Sequence, residues 1–137
     1  FEEKAVIPAT EKTSEKVSTQ DPSELETWKG KIEKYILENQ SYLNSELTLF
    51  ELSKSLSTNT SYLSRVINEG FGQNFNDFIN AHRIKEFVKR IEKGQHKTET
   101  LLSVAYDCGF NSKATFNRAF KKIYTQTPVE YIRAMNK

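Results

Sequence analysis

Lys113, Asn117 and Lys121 follow one another at intervals of four, with Ala114 and Arg118 one place further on. A helix through these residues gathers them on one face. Lysine, arginine and asparagine in that pattern suit polar recognition: they reach phosphate oxygens, and they reach base edges in a major groove, where arginine can hold guanine through two hydrogen bonds. A second set, Thr60, Ser61, Ser64, Arg65 and Asn68, has the same spacing and a single charge. Ser112, which opens the helix of the first set, is counted with it. The candidate nucleic-acid-contacting residues are therefore Thr60, Ser61, Ser64, Arg65, Asn68, Ser112, Lys113, Ala114, Asn117, Arg118 and Lys121. A solvated helix face would also be polar. What tells against that reading is that the arrangement occurs twice.

The duplication extends to the elements that carry these faces. Shifted by 52 residues, Thr48-Leu49-Phe50-Glu51-Leu52-Ser53 falls on Thr100-Leu101-Leu102-Ser103-Val104-Ala105. With one more residue of turn, Asn59 to Arg65 falls on Ser112 to Arg118. Each copy predicts a helix, a short turn and a second helix, which is the helix-turn-helix pattern. A small residue, Ser53 or Ala105, stands where the second helix must cross the first closely. Gly109 can supply the positive φ that such a turn needs. The second helices bury Leu63, Val66 and Ile67 in copy one, and Phe116, Ala119, Phe120 and Ile123 in copy two.

Capping signals place the remaining elements. Asp21-Pro22-Ser23-Glu24 opens a helix to about Gln40, with Leu25, Trp28, Ile32, Tyr35 and Ile36 as its apolar stripe. That stripe packs most simply on copy one. Thr48 to Glu51 and Thr127 to Glu130 are capping boxes. Asn74 to about Lys93 reads as a long helix stopped by Gly94. Its Phe75, Phe78 and Ile79 lie roughly opposite Ile84, Phe87, Val88 and Ile91, as expected of a connector with one end on each copy. The expected fold is all-α, about seven helices and no sheet: two helix-turn-helix subdomains joined by a long connector helix. Unit one spans about 21–73, the connector 74–93 and unit two about 98–137. Residues 1–20, rich in Glu, Lys, Thr and Ser, read as a flexible linker or tail.

Charge separates along the chain. Residues 1–27 hold three lysines against seven carboxylates, and residues 28–137 hold 17 basic residues against 11 acidic. A basic body suits a polyanionic partner.

Residues Ala105 to Lys122, followed by Thr127-Pro128-Val129-Glu130-Tyr131, resemble the second-unit signature of the AraC/XylS family of bacterial transcription regulators. In that signature a Gly-Phe turn precedes a Phe-x-x-x-Phe-Lys-Lys helix and a Thr-Pro-x-x-Tyr close. Tyr62-Leu63-Ser64-Arg65 is similar to the family's first recognition helix, and Arg83-Ile84 to part of its connector. The resemblance covers roughly residues 28–135. It implies a two-unit module for sequence-specific binding of double-stranded DNA, with base contacts at Ser61, Ser64, Arg65, Lys113, Ala114, Asn117 and Arg118. It further implies an upstream sensory or dimerisation region of the same protein, and RNA polymerase as a further partner. Thr125, Phe87 and Arg90 depart from the family's frequent glycine, alanine and leucine, all away from the reading faces.

Other classes fit less well. His82, His96 and the one cysteine, Cys108, form no nucleophile motif, and no phosphate-cradling glycine loop is present. No catalytic residue, metal site, cofactor or small-molecule site is expected. Cys108 reads as a small core residue. No apolar run approaches the ~18–20 residues of a membrane span. One cysteine builds no disulfide framework, which fits a reducing compartment, so a cytoplasmic setting is expected, with attachment to a larger or membrane-tethered protein left open. The alternative to a DNA reader is a helical protein-interaction module built on the same helix-turn-helix fold.

Overall fold

A computed structural model of the protein describes residues 22–136. The tail expected over 1–20 and the capping role expected of Asp21 lie outside the described residues. Seven α-helices follow in order: α1 Pro22–Asn39, α2 Leu49–Ser55, α3 Thr60–Phe71, α4 Phe75–Glu92, α5 Leu101–Asp107, α6 Lys113–Tyr124 and α7 Pro128–Met135. Single 3-10 turns cover Ser41–Leu43 and Gln95–Lys97. No strand occurs among the described residues.

The starts of the helices are set by local chemistry. Thr48, Asn59, Thr100, Ser112 and Thr127 each hold extended backbone and accept a hydrogen bond from the amide three residues on. This satisfies one of the amide donors that every helix start leaves open. At Thr48 and Thr127 the glutamate three residues on closes the reciprocal bond to the cap's own amide.

The repeat is equally visible at the turns. After α2, Ser57 has φ 58° and the Thr58 amide donates to the Ser53 carbonyl at 2.9 Å. After α5, Gly109 has φ 106° and the Phe110 amide donates to the Ala105 carbonyl at 3.2 Å. Both are the closed turn that caps a helix C-terminus. Ser53 and Ala105 are both buried, as close crossing of the second helix requires.

The described residues divide into two compact bodies. One comprises 22–35 and Thr48–Phe75; the other comprises Ile36–Leu47 and 76–136. In the first, Ile32, Leu52, Leu56, Leu63, Val66 and Ile67 are buried. The Trp28 ring meets Tyr62 edge-on at 5.3 Å, and the Tyr62 hydroxyl donates to the Glu24 carboxylate at 2.5 Å.

The second body has an aromatic core. Phe87 of α4 lies 4.7 Å from Phe116 and 5.9 Å from Phe120, ring centre to ring centre, and Phe110 lies 5.3 Å from Phe116. Ile84, Val88 and Ile91 of α4 join Val104, Ala105 and Cys108 around these rings. The long helix is therefore, from Asn76 onward, part of this body. So is the segment between α1 and α2, for which Arg83 is the reason. Its Nε donates to the Tyr42 carbonyl at 2.6 Å, Nη2 to the Asn44 carbonyl at 2.9 Å and Nη1 to the Asn80 side chain at 3.0 Å.

One expectation about packing is corrected. Ile123 is 46 % exposed. It points the same way as Phe116 and Phe120, but one turn later, where Tyr124 and Tyr131 cover Phe120 at 4.9 and 5.5 Å instead.

The ends of α3 and α6 also correspond, with Gly72 at φ 66° and Thr125 at φ 59°. Glycine holds that conformation freely, whereas a β-branched residue is strained in it. Replacing Thr125 with glycine is expected to raise stability by ~0.5–1 kcal/mol, the relief of strain exceeding the greater freedom of glycine in the unfolded chain. Urea denaturation of the two proteins measures the difference, and a lower midpoint for Thr125→Gly would refute the strain.

Candidate nucleic-acid interface

α6 presents its outer face through the arrangement just described. Phe116 and Phe120 anchor it inward, and the Ser112 hydroxyl fixes its start by accepting from the Thr115 amide at 3.1 Å and donating to the Thr115 hydroxyl at 3.0 Å. Ser112 is thus occupied as a cap. Lys113, Ala114, Asn117, Arg118 and Lys121 are all exposed. None of the four polar ones makes a hydrogen bond or ion pair with a described residue. Their hydrogen-bonding groups are unspent and face solvent. Lys122, one position beyond, differs: its ammonium meets Asp77 of α4 at 2.7 Å. Its place about 100° further round the helix turns it toward α4.

α3 is built on the same plan with different chemistry. Asn59 accepts from the Tyr62 amide at 2.8 Å and sets the start. Ser61 and Asn68 are exposed, while Thr60, Ser64 and Arg65 are half-buried. The Asn68 amide group donates to the Ser64 carbonyl at 2.9 Å and lies 3.5 Å from its hydroxyl, so part of this face is satisfied within the helix. Arg65 is its one cation.

Two contacts that position these helices escaped sequence reading. The Glu24–Tyr62 bond and the Arg83 clamp join residues 38 to 41 apart, and no local signal marks either pair. Arg83-Ile84 stood out only through the family resemblance, with no role attached.

The remaining reactive side chains are in structural positions. Burial pushes the Cys108 thiol up to about 12, with Arg90 pulling the other way and the Glu86 and Asp107 carboxylates adding to the rise, so it is protonated at neutral pH. His82 is stacked on Tyr42 at 5.7 Å and meets Phe78 edge-on at 5.0 Å. Burial, then Lys85, lowers its pKa below 6.5. Between that lowered value and 6.5 the unfolded chain binds the proton more readily than the folded one. Stability from this neutral ring is full above pH 6.5 and is lost as pH falls through 6.5 toward the folded value. Denaturation at pH 7.5 and 5.5 is expected to show His82→Phe less sensitive to acid than the parent, and equal sensitivity would remove His82 from the account. Among the described residues no cluster of three or more His, Cys, Asp or Glu could hold a metal ion, and no helix is long and apolar enough to cross a membrane.

A short helix, a closed turn and a polar-faced second helix, present twice, define a tandem helix-turn-helix DNA-binding domain. Comparison with known proteins agrees. A family model described as a helix-turn-helix domain matches residues 52–134. An HTH-type transcriptional regulator of Staphylococcus aureus is 33 % identical over 90 residues, covering 66 % of this chain and 12 % of that protein. The C-terminal domain of the two-component response regulator yesN from Fusobacterium nucleatum superimposes with a TM-score of 0.59 at 30 % identity, covering 77 % of this chain and 98 % of that one. The C-terminal domain of AraT, a response regulator from Geobacillus stearothermophilus, does so with a TM-score of 0.62 at 26 % identity, covering 76 % and 82 %. The chain belongs to the AraC/XylS family of helix-turn-helix transcription regulators and is a DNA-binding effector domain of that family.

Proposed function

We propose that α3 and α6 each enter a major groove of double-stranded DNA, reading two unlike segments of one asymmetric site. The observation that carries this is the unspent outer face of α6, where the side chains of Lys113, Asn117, Arg118 and Lys121 make no hydrogen bond or close ion pair with a described residue. Buried against DNA, such groups gain hydrogen bonds to bases and phosphates without first breaking any in the protein. α6 supplies most of the affinity through three cations, and α3 contributes hydrogen bonding through Ser61, Ser64 and Arg65. Because the two faces differ, no palindrome is required. The chain acts as a binder without chemistry of its own.

The chain spans 12 % of the length of the Staphylococcus regulator. The signal is accordingly assigned to a sensory or dimerisation region elsewhere in a longer protein, with RNA polymerase as a further partner and the cytoplasm as the setting.

Selection of bound duplexes from a random pool tests the reading. A motif in two dissimilar parts, with affinity falling steeply as salt rises, is the expected outcome. Binding to protein partners that is insensitive to salt, with no motif enriched, would favour a protein-interaction module instead.

A further inference from the structure

Beside α6 the second body has a groove of about 580 Å³. Its walls are mainly apolar: Leu101 and Leu102 from the first turn of α5, Phe116 from α6, and Pro128 and Val129 from α7. The corresponding groove of the first body, about 530 Å³, runs from Leu49 along Thr60, Ser61, Ser64, Arg65 and Asn68 to Glu69. The two grooves coincide under the repeat, with Leu49 matching Leu101 and Arg65 matching Arg118. The helix-turn-helix plan accounts for a groove at this place. It does not by itself account for one being mainly apolar and the other mixed: the start of α7 adds Pro128 and Val129 to the second groove, whereas the first is lined largely by the polar side chains of α3.

An apolar wall open to water beside a recognition face is placed to make a contact of matching chemistry. Val129 is 51 % exposed. The rim carries Lys113, Arg118 and Lys121, none paired with a described residue. Cations around an apolar wall fit a polyanion that bears apolar substituents. On the major-groove edge of DNA the one apolar substituent is the 5-methyl group of thymine.

We propose that this groove receives thymine methyl groups, so that the half-site read by α6 requires thymine beside the bases held by Asn117 and Arg118, while the half-site read by α3 has no such requirement. Ala114, exposed on α6, adds a further methyl contact at the same face. The inference rests on α6 reading DNA as proposed above.

Deoxyuridine differs from thymidine only by that methyl, and pairs identically. The duplex recovered from the random pool is remade with each thymidine replaced in turn by deoxyuridine, and its affinity for the 137-residue chain is measured. The α6 half is identified as the one whose base preference relaxes in Arg118→Ala. Replacement at one or more positions in that half is expected to weaken binding about fourfold per methyl, the factor that corresponds to burying one such group. Replacement in the α3 half is expected to change nothing. Val129→Ser, at an exposed position, is expected to erase the thymidine–deoxyuridine difference at the position it contacts. Full affinity for every deoxyuridine duplex would overturn the methyl pocket while leaving DNA reading intact, as would a Val129→Ser loss equal on both duplexes. Failure to recover any motif would instead overturn the reading on which the proposal stands.

Discussion

Replacing Gly109 with alanine is expected to destabilise the second body by ~2–6 kcal/mol, measured as a lowered urea midpoint of helical circular dichroism. Two costs add. The residue sits at φ 106°, a backbone conformation that side chains with a Cβ rarely adopt, and strain of that kind costs ~1–3 kcal/mol. A Cβ there would lie 2.2 Å from the Tyr42 carbonyl oxygen, 2.8 Å from the Arg83 Nε and 3.1 Å from the Leu43 Cα. Two of those three atoms are backbone, held in place because Arg83 itself bonds the Tyr42 carbonyl, so the neighbours cannot swing aside. Overpacking of that sort adds ~1–3 kcal/mol. Gly72→Ala separates the two costs. It too has positive φ, 66°, but nothing lies within 4 Å of its Cβ position, so only the backbone strain of ~1–2 kcal/mol is expected. Equal losses at the two sites would show that the close approach to Tyr42 contributes nothing.

The same residue shows where sequence reasoning succeeds and stops. That Gly109 takes a positive φ is legible, because a turn is a local event and its residue types follow from local sterics. The caps at Thr48, Asn59, Thr100, Ser112 and Thr127 are legible for the same reason, since each satisfies an amide only three residues away. The buried stripe of α3 follows from periodicity. Which chain Gly109 must admit is not legible. Tyr42 lies 67 positions earlier in a segment without strong patterning, and it is brought there by an arginine whose partners are backbone carbonyls, which every residue type offers. Ile123 failed for a related reason: periodicity gives a side chain's direction, not where the body it faces comes to an end.

The candidate face was legible in position and less so in availability. Spacing alone put Lys113, Asn117, Arg118 and Lys121 together, and the structure keeps them together. It could not tell that Lys122 is engaged by Asp77, a residue 45 positions earlier. Nor could it tell that Asn68 bonds its own helix at Ser64. Both are competitions between a protein partner and an outside one, and they depend on rotamer and on tertiary neighbours. Each helix therefore has less to offer a ligand than its composition suggests, but α6 keeps the unengaged cations Lys113, Arg118 and Lys121 against Arg65 alone on α3, so the contrast between the two units stands.

That contrast leads to the largest expected functional effect. Arg118→Ala is expected to weaken binding to the selected duplex by ~1–3 kcal/mol, roughly 5- to 150-fold, with base preference lost at one position of the α6 half-site. The magnitude follows from the state of the guanidinium. It has no described partner to give up, so its full hydrogen-bonding capacity is available to a guanine edge. Lys121→Ala should behave differently, lowering affinity for all sequences alike and reducing the salt slope by about one unit, because a phosphate contact releases a counterion without reading a base. Lys122→Ala should leave DNA affinity nearly unchanged. Its loss breaks an exposed pair with Asp77, of a kind worth ~0–1 kcal/mol to stability. Fluorescence anisotropy on matched and single-base-mismatched duplexes distinguishes the three. If Lys122→Ala costs as much affinity as Arg118→Ala, the reading face is rotated on α6 from the one assigned. If Arg118→Ala instead weakens every duplex equally, the arginine holds a phosphate, and sequence must be read by its neighbours Asn117 and Ala114.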